Sequence, residues 1–287
     1  MPQIFNNFFH EVEGNEAERC HYPTRLDTYG CGCQHNCGYC YARSLLAFRG
    51  MWNPQVPSKA PFREIVKVVR KLRRGSVVRL GGMTDCFQPM EASAKNTLRT
   101  IPLLNKRGVH YLIVTKNDIV ARPEYLAAMD KGLAHIQVSI TSTDPDTSLA
   151  LEPGAPTPDR RIAAVETLQA EGFDTSVRLS PFIPEIVDLD TIRAIRCDKI
   201  LVEFLRVNTW IEKWVKGTGL PIDLGPYNEF HSGYKHLPLA RKKALINGII
   251  GAFPQVSVCE DVPEHWGWWK DNLNHNPEDC CNLNLLK

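Results

Sequence analysis

The sequence predicts an α/β protein, a partial (β/α)6 TIM-type barrel with a C-terminal cap. Short apolar runs alternate with amphipathic helical patterns between Leu26 and about residue 206, the pattern of parallel strands joined by right-handed crossovers. Six strand candidates fall in that stretch, which fits an open barrel better than a closed eight-stranded one. Beyond residue 206 the alternation lapses. The expected organisation is therefore an N-terminal arm over residues 1–25, a barrel over 26–206 and a helical or irregular cap over 207–287.

Residues 1–24 have no clean periodicity. Leu26–Tyr29 reads as a first strand, Gly30–Cys40 as a loop rich in Gly, Cys and polar residues, and Tyr41–Phe48 as a helix start. Phe62–Leu72 has apolar residues at helical spacing with a basic opposite side. Val77–Leu80 is a strand closed by Gly81-Gly82, followed by a helix over 93–106. Strands at Tyr111–Thr115, Ile136–Ile140, Thr175–Leu179 and Ile200–Phe204 alternate with helices at Pro123–Met129, Arg160–Gly172 and Leu189–Ile195. In the cap, Asn208–Lys216 and Leu239–Ile250 read as helices and Val256–Val258 as a late strand. The run from Trp266 to Asn282 has no simple period.

Composition narrows the function. A chain of 287 residues, 43% hydrophobic, can bury a substantial core. With 34 Lys and Arg against 32 Asp and Glu, its net charge of +2 provides no global attraction to nucleic acid or anionic membrane. No export signal and no run of about 18 apolar residues is apparent, so a cytoplasmic location without membrane contact is expected. Ten cysteines in that setting read as metal ligands and buried thiols rather than as a disulfide framework.

The cysteine positions are the most informative feature. In Cys33-Gln34-His35-Asn36-Cys37-Gly38-Tyr39-Cys40, three thiolates close together in one loop can hold three corners of an iron–sulfur cube. The fourth iron then stays open to chelate a small molecule. The loop follows the first strand, at the end of the sheet where α/β folds place their chemistry. A structural zinc site of Cys31, Cys33, Cys37 and Cys40 is the alternative, although Cys31 and Cys33 are closer in sequence than paired zinc ligands usually are.

This spacing, with the aromatic Tyr39 before the last cysteine, resembles the signature of the radical S-adenosylmethionine superfamily. The longer run Cys37-Gly38-Tyr39-Cys40-Tyr41-Ala42-Arg43 is similar to the branch containing spore photoproduct lyase. The resemblance implies a [4Fe-4S] cluster on Cys33, Cys37 and Cys40, with S-adenosyl-L-methionine on the open iron. An electron from a reductant such as flavodoxin or ferredoxin would cleave the cofactor to a 5'-deoxyadenosyl radical that abstracts hydrogen from substrate. The protein must hold that carbon against its target.

Other segments carry the resemblance further, and its implied cofactor-binding set is Tyr39, Gly81, Gly82, Thr84, Asp85, Lys116, Ser139 and Arg178. Gly81-Gly82 would let backbone approach the methionyl ammonium, although an ordinary turn explains the pair equally well. Thr84-Asp85-Cys86-Phe87-Gln88-Pro89-Met90-Glu91 is similar to a run in relatives of the lyase. There Cys86 would be a catalytic hydrogen donor or, alternatively, a small buried hydrophobe. Lys116 would pair with the cofactor carboxylate or be a solvated lysine. Ser139, Thr141, Ser142 and Thr143 offer hydroxyls for a ribose, or for a turn and helix cap. Arg178, a charge in an apolar strand, needs an anion: the cofactor carboxylate or Glu203. Leu151-Glu152-Pro153-Gly154 also belongs to the resemblance.

In the cap, Cys259, Cys280 and Cys281 leave thiols for an auxiliary metal site, or are silent buried cysteines. Trp266, Trp268 and Trp269 line a pocket or anchor the terminal segment. For the reaction, the primary expectation is a small-molecule or peptide substrate. The alternatives are a radical enzyme acting on a nucleic-acid base and a non-catalytic zinc protein. The only dense basic run is Lys67, Arg70, Lys71, Arg73 and Arg74.

Overall fold

The computed structural model describes residues 5–13 and 20–285. Parts of the expected N-terminal arm, residues 1–4 and 14–19, lie outside them. An eight-stranded sheet organises the chain, in the order β1 (Phe9–Glu11), β2 (Thr24–Leu26), β5 (Val77–Leu80), β6 (His110–Thr115), β7 (Ala134–Ile140), β8 (Asp174–Phe182), β9 (Lys199–Phe204), β12 (Gln255–Val258). Every pairing from β2 to β12 is parallel, and only β1 is antiparallel, on β2. The sheet curves into an open α/β barrel of the TIM type.

The crossover helices follow from sequence. α2 (Phe62–Lys71) buries Ile65 and Val69 and turns its charges outward. α4 (Asn96–Arg107) ends on Gly108 in the left-handed region, and α7 (Pro158–Ala170) starts on a proline that suits the first turn of a helix. α1 (Tyr41–Phe48), α3 (Glu91–Ala94), α5 (Pro123–Ala128), α6 (Pro145–Leu151) and α8 (Leu189–Arg193) complete the set up to β9. α9 (Thr209–Lys216), α10 (Leu239–Ile246) and α11 (Pro263–Asn272) follow it. Two short antiparallel pairs, β3 (Tyr29–Gly30) with β4 (Ser58–Lys59) and β10 (Glu229–His231) with β11 (Tyr234–His236), lie outside the main sheet. No helix among the described residues is long and apolar enough to cross a membrane.

All seven residues of β7 are buried, as expected of a strand covered on both faces. Its alternate residues His135 and Gln137 meet polar partners. His135 contacts Asp174 at 2.6 Å, which also takes Lys199 at 2.6 Å; Gln137 takes Arg178 at 2.7 Å, and Arg178 reaches Glu203 at 2.5 Å. The barrel interior is therefore a stack of charge-paired layers.

Barrel closure comes from the C-terminal tail. Tyr22, just before β2, donates to Asp279 at 2.6 Å, while Asn282 reaches Gln255 of β12 on the opposite edge. Lys199 Nζ donates to the Asn282 carbonyl at 2.6 Å, and the Asn284 N–H donates to Asp174 at 2.8 Å. Residues 279–284 thus span the seam between the first and last parallel strands, running from Tyr22 beside β2 to the starts of β8, β9 and β12.

Candidate active site

The cysteine loop leaves β3 through two unusual backbone positions. Cys31 has φ +55° and Gly32 φ +145°, and a Cβ on Gly32 would lie 2.1 Å from the Asn53 carbonyl oxygen, so only glycine fits there. Cys33, Cys37 and Cys40 then face a cavity of about 230 Å³ at the C-terminal ends of the strands. Cys31 is buried and is not on the cavity wall.

A second segment from the far side of the barrel holds this loop. Gly38 N–H donates to the Leu151 carbonyl at 2.8 Å and Gly154 N–H to the His35 carbonyl at 3.2 Å. His35 bridges the Gly154 carbonyl, 2.9 Å from Nδ1, and Asp85, 3.0 Å from Nε2. Gly154 packs so closely that a Cβ there would lie 1.9 Å from the Gln34 carbonyl oxygen. Glu152, wholly buried, is held by Arg161 at 2.5 Å and accepts from the Tyr39 hydroxyl. The Lys116 ammonium stands 4.0 Å from Glu152 and 5.6 Å from the Tyr39 ring centre.

The Thr84–Glu91 run works mainly as scaffold. Thr84 donates to the Tyr29 carbonyl at 2.6 Å. Asp85 accepts from Thr115 at 3.0 Å and from the Lys116 and Phe87 N–H groups, each at 2.8 Å. Burial pushes its carboxyl up, but His35 beside it and these hydrogen bonds outweigh that and hold Asp85 below the usual range. Gln88 accepts the Gln34 N–H at 2.9 Å, and buried Glu91 collects Tyr125, Thr97 and Leu98. Gly82 and Met83 present their N–H groups to Asp27, at 2.6 and 3.2 Å, which fixes the glycine turn.

The expected residues therefore divide. Cys33, Cys37, Cys40, Tyr39, Gly81, Gly82, Thr84, Asp85, Lys116, Ser139 and Arg178 all line the one cavity. Cys86 is not brought to it: its side chain is 1% exposed, packs in the core and donates to the Leu80 carbonyl at 3.5 Å. Arg178 is paired with Glu203, one of the two anions open to it, at 2.5 Å. Burial raises the Glu203 carboxyl, but Arg178 and Arg206 together bring it down to about 2. Trp266 lines the cavity, whereas Trp269 is fully buried and Trp268 packs edge-on against it.

Sequence reasoning missed His35, Asp27 and the clamping role of Glu152. Each is a lone polar residue without periodicity, and only the presence of His35 inside the cysteine loop was a signal.

The donor set fits an iron–sulfur cluster better than a single ion. Four thiolates around one zinc lie about 3.8 Å apart, given Zn–S bonds of about 2.3 Å. Among the described residues, the only three candidate ligand atoms within 4.8 Å of one another belong to His236, Glu260 and Asp261, not to the loop. That triad is a charge network: Glu260 is bound to Lys242 at 2.5 Å and Asp261 to Arg206 at 3.2 Å. Burial pushes the Cys33 thiol up to about 12 and raises Cys37 and Cys40 as well, a cost that metal coordination removes by stabilising the thiolates.

Comparisons with known proteins agree with this geometry. The family model described as the radical SAM superfamily matches residues 28–196. An uncharacterised protein of Methanocaldococcus jannaschii is 30% identical over 165 residues, 56% of this chain and 61% of that protein. The radical SAM Nalpha-GlyT isomerase of Pseudomonas phage M6 is 24% identical over 192 residues, covering 64% of this chain and 38% of the isomerase. The chain thus spans about three fifths, or less, of the length of these two relatives. Among solved structures, spore photoproduct lyase complexed with dinucleoside spore photoproduct superposes with a TM-score of 0.64 at 14% identity, over 89% of this chain and 80% of the lyase.

Proposed function

The chain belongs to the radical SAM superfamily, and from that premise we propose that it abstracts hydrogen from a nucleic-acid base or nucleotide. Cys33, Cys37 and Cys40 would hold the [4Fe-4S] cluster, with S-adenosyl-L-methionine on its open iron. Given one electron from a reductant such as flavodoxin or ferredoxin, the bound pair supplies a 5'-deoxyadenosyl radical. The observation that carries the reading is the single cavity shared by these three thiols, Lys116, the Gly81-Gly82 turn and Trp266.

The chain's own residues position and seclude. Asp27 fixes the Gly82 and Met83 N–H groups, leaving the glycine backbone open to close approach by the methionyl group. Lys116 supplies positive charge for the cofactor carboxylate, and Ser139 a hydroxyl beside it. Asp85 and Thr84, engaged with neighbouring backbone, orient the loop rather than contact the cofactor directly.

Three features favour a base over the small-molecule or peptide substrate expected from composition. Trp266, an aromatic ring on which a base can stack, lines the same cavity as the guanidiniums of Arg79 and Arg206. The barrel resembles that of the lyase complexed with a dinucleoside, and the phage relative is named for an isomerase of GlyT. The basic run Lys67–Arg74 takes no part, because it leads into the start of β5 while the cavity opens at that strand's end.

The test is isotopic. Reconstituted protein is given S-adenosyl-L-methionine, a reductant, and nucleosides or oligonucleotides deuterated on base or sugar. Deuterium in the 5'-deoxyadenosine formed with base-labelled substrate is expected. Transfer from peptides or small metabolites, with none from any base, would return the reading to the small-substrate class.

A further inference from the structure

We propose that the cavity holds a second iron–sulfur cluster, bound by Cys259, Cys280 and Cys281 with Cys20 as the fourth ligand, at the seam between β2 and β12. These residues come from three places in the chain: the approach to β2, the end of β12 and the C-terminal tail. All four line the same cavity as Cys33, Cys37 and Cys40, and all are free thiols. The Cys280 side chain contacts those of both Cys259 and Cys281.

The surroundings are built to present them. Asp279 accepts the Tyr22 hydroxyl at 2.6 Å, the Cys281 N–H at 2.9 Å and the Leu283 N–H at 3.0 Å, which fixes the turn carrying the thiol pair. Cys259 is placed by its N–H bond to the Val202 carbonyl at 2.8 Å, and Cys20 by the Arg25 guanidinium at 3.4 Å. Two cations face the group: Arg79 acts electrostatically on Cys20 and Cys281, and Arg178 on Cys259 and Cys281. Arg79 Nε is buried with no hydrogen-bond partner, a donor aimed at an acceptor that the protein itself does not supply. Cluster sulfur or a ligating thiolate is such an acceptor.

The chemistry of the ligands selects the occupant. The tail is held across the seam by hydrogen bonds at Asp279, Asn282 and Asn284, and Cys280 and Cys281 are left lining the cavity. Cys280 meets Cys259 and Cys281 in separate pairs, and no three of these sulfurs lie within 4.8 Å of one another, whereas all four around a single zinc would. Four thiolates and two flanking guanidiniums suit a cluster of several irons, whose negative charge needs nearby cations. This inference does not depend on the substrate reading.

The test removes the first site. The C33A/C37A/C40A protein, reconstituted anaerobically with iron and sulfide, is expected to retain about four irons and about four sulfides per chain, and the wild type about eight of each. Adding C259A and C280A should bring the variant to background with unchanged far-ultraviolet circular dichroism, and C20A should lower its iron by half or more. One zinc without sulfide, an internal disulfide, or four unligated thiols in the triple variant would overturn the proposal; full iron retention in C20A would overturn the part of Cys20. Should the triple variant not fold, wild-type protein holding only four irons decides against the second cluster. Loss of the seam cluster in C259A/C280A with the loop cluster still present separates this result from failure of the radical reading.

Discussion

The Gly154 α-carbon packs against the Gln34 carbonyl so tightly that a methyl group there would lie 1.9 Å from the oxygen, joining the Glu-Pro-Gly turn to the cysteine loop. Gly154→Ala should push the loop off its clamp. Such steric conflict with backbone costs roughly 2–4 kcal/mol. The expected readouts are a lowered urea midpoint and reduced iron content on reconstitution. Gly267→Ala is the control, because its added methyl meets nothing within 4 Å in α11 and should be neutral or slightly stabilising. Equal midpoints for the two variants would show that the contact carries no energy.

Replacing Cys33, Cys37 or Cys40 by alanine should abolish 5'-deoxyadenosine formation, since each faces the cavity. Cys31→Ala should retain most of it, because Cys31 is off that wall. Loss of cleavage in Cys31→Ala with normal folding would instead favour a four-thiolate site.

Cys86→Ala is expected to leave both cofactor cleavage and the product pattern unchanged. The thiol is 1% exposed and donates to the Leu80 carbonyl, so its removal should cost only about 1 kcal/mol of packing. A change of product with cleavage intact would restore the hydrogen-donor role.

Glu203 predicts an acid-side loss of stability. Its folded pKa, about 2, lies below its ordinary value of 4.5, so the contribution is full above pH 4.5 and disappears as pH falls toward 2. It is worth on the order of 2 kcal/mol after allowing for partial exposure. In urea melts at pH 6, 4 and 3, the difference between wild type and Glu203→Gln should shrink as the pH is lowered. A constant difference would mean that the Arg178 contact is not electrostatic.

Much of the fold was legible in the sequence. Strand runs such as Val77–Leu80 and Ile200–Phe204 are short, apolar and bounded by turn residues, and the structure keeps the first and adds one residue to the second, whereas Thr175–Leu179 grows to Asp174–Phe182 and Leu26–Tyr29 divides into β2 and β3, which belong to different sheets. The α11 helix was not legible, because its three tryptophans make no single stripe; Pro263 at its first turn was the available sign. The β10–β11 hairpin was also missed, because its three-residue strands are too short to show alternation. At the site, the cysteine loop is encoded locally by spacing. The clamp by Glu152 and Gly154, and the approach of Cys20 to the tail, arise from packing between distant segments and leave no periodic trace.

The tail at the seam also sets an order of events during synthesis. Cys33, Cys37 and Cys40 leave the ribosome long before Leu151–Gly154, and the Tyr22–Asp279 bridge, which joins residues 257 apart in sequence, forms only after every strand of the main sheet has been made. The nascent barrel therefore passes through a stage in which β2 and β12 are both in place while the tail has yet to join them.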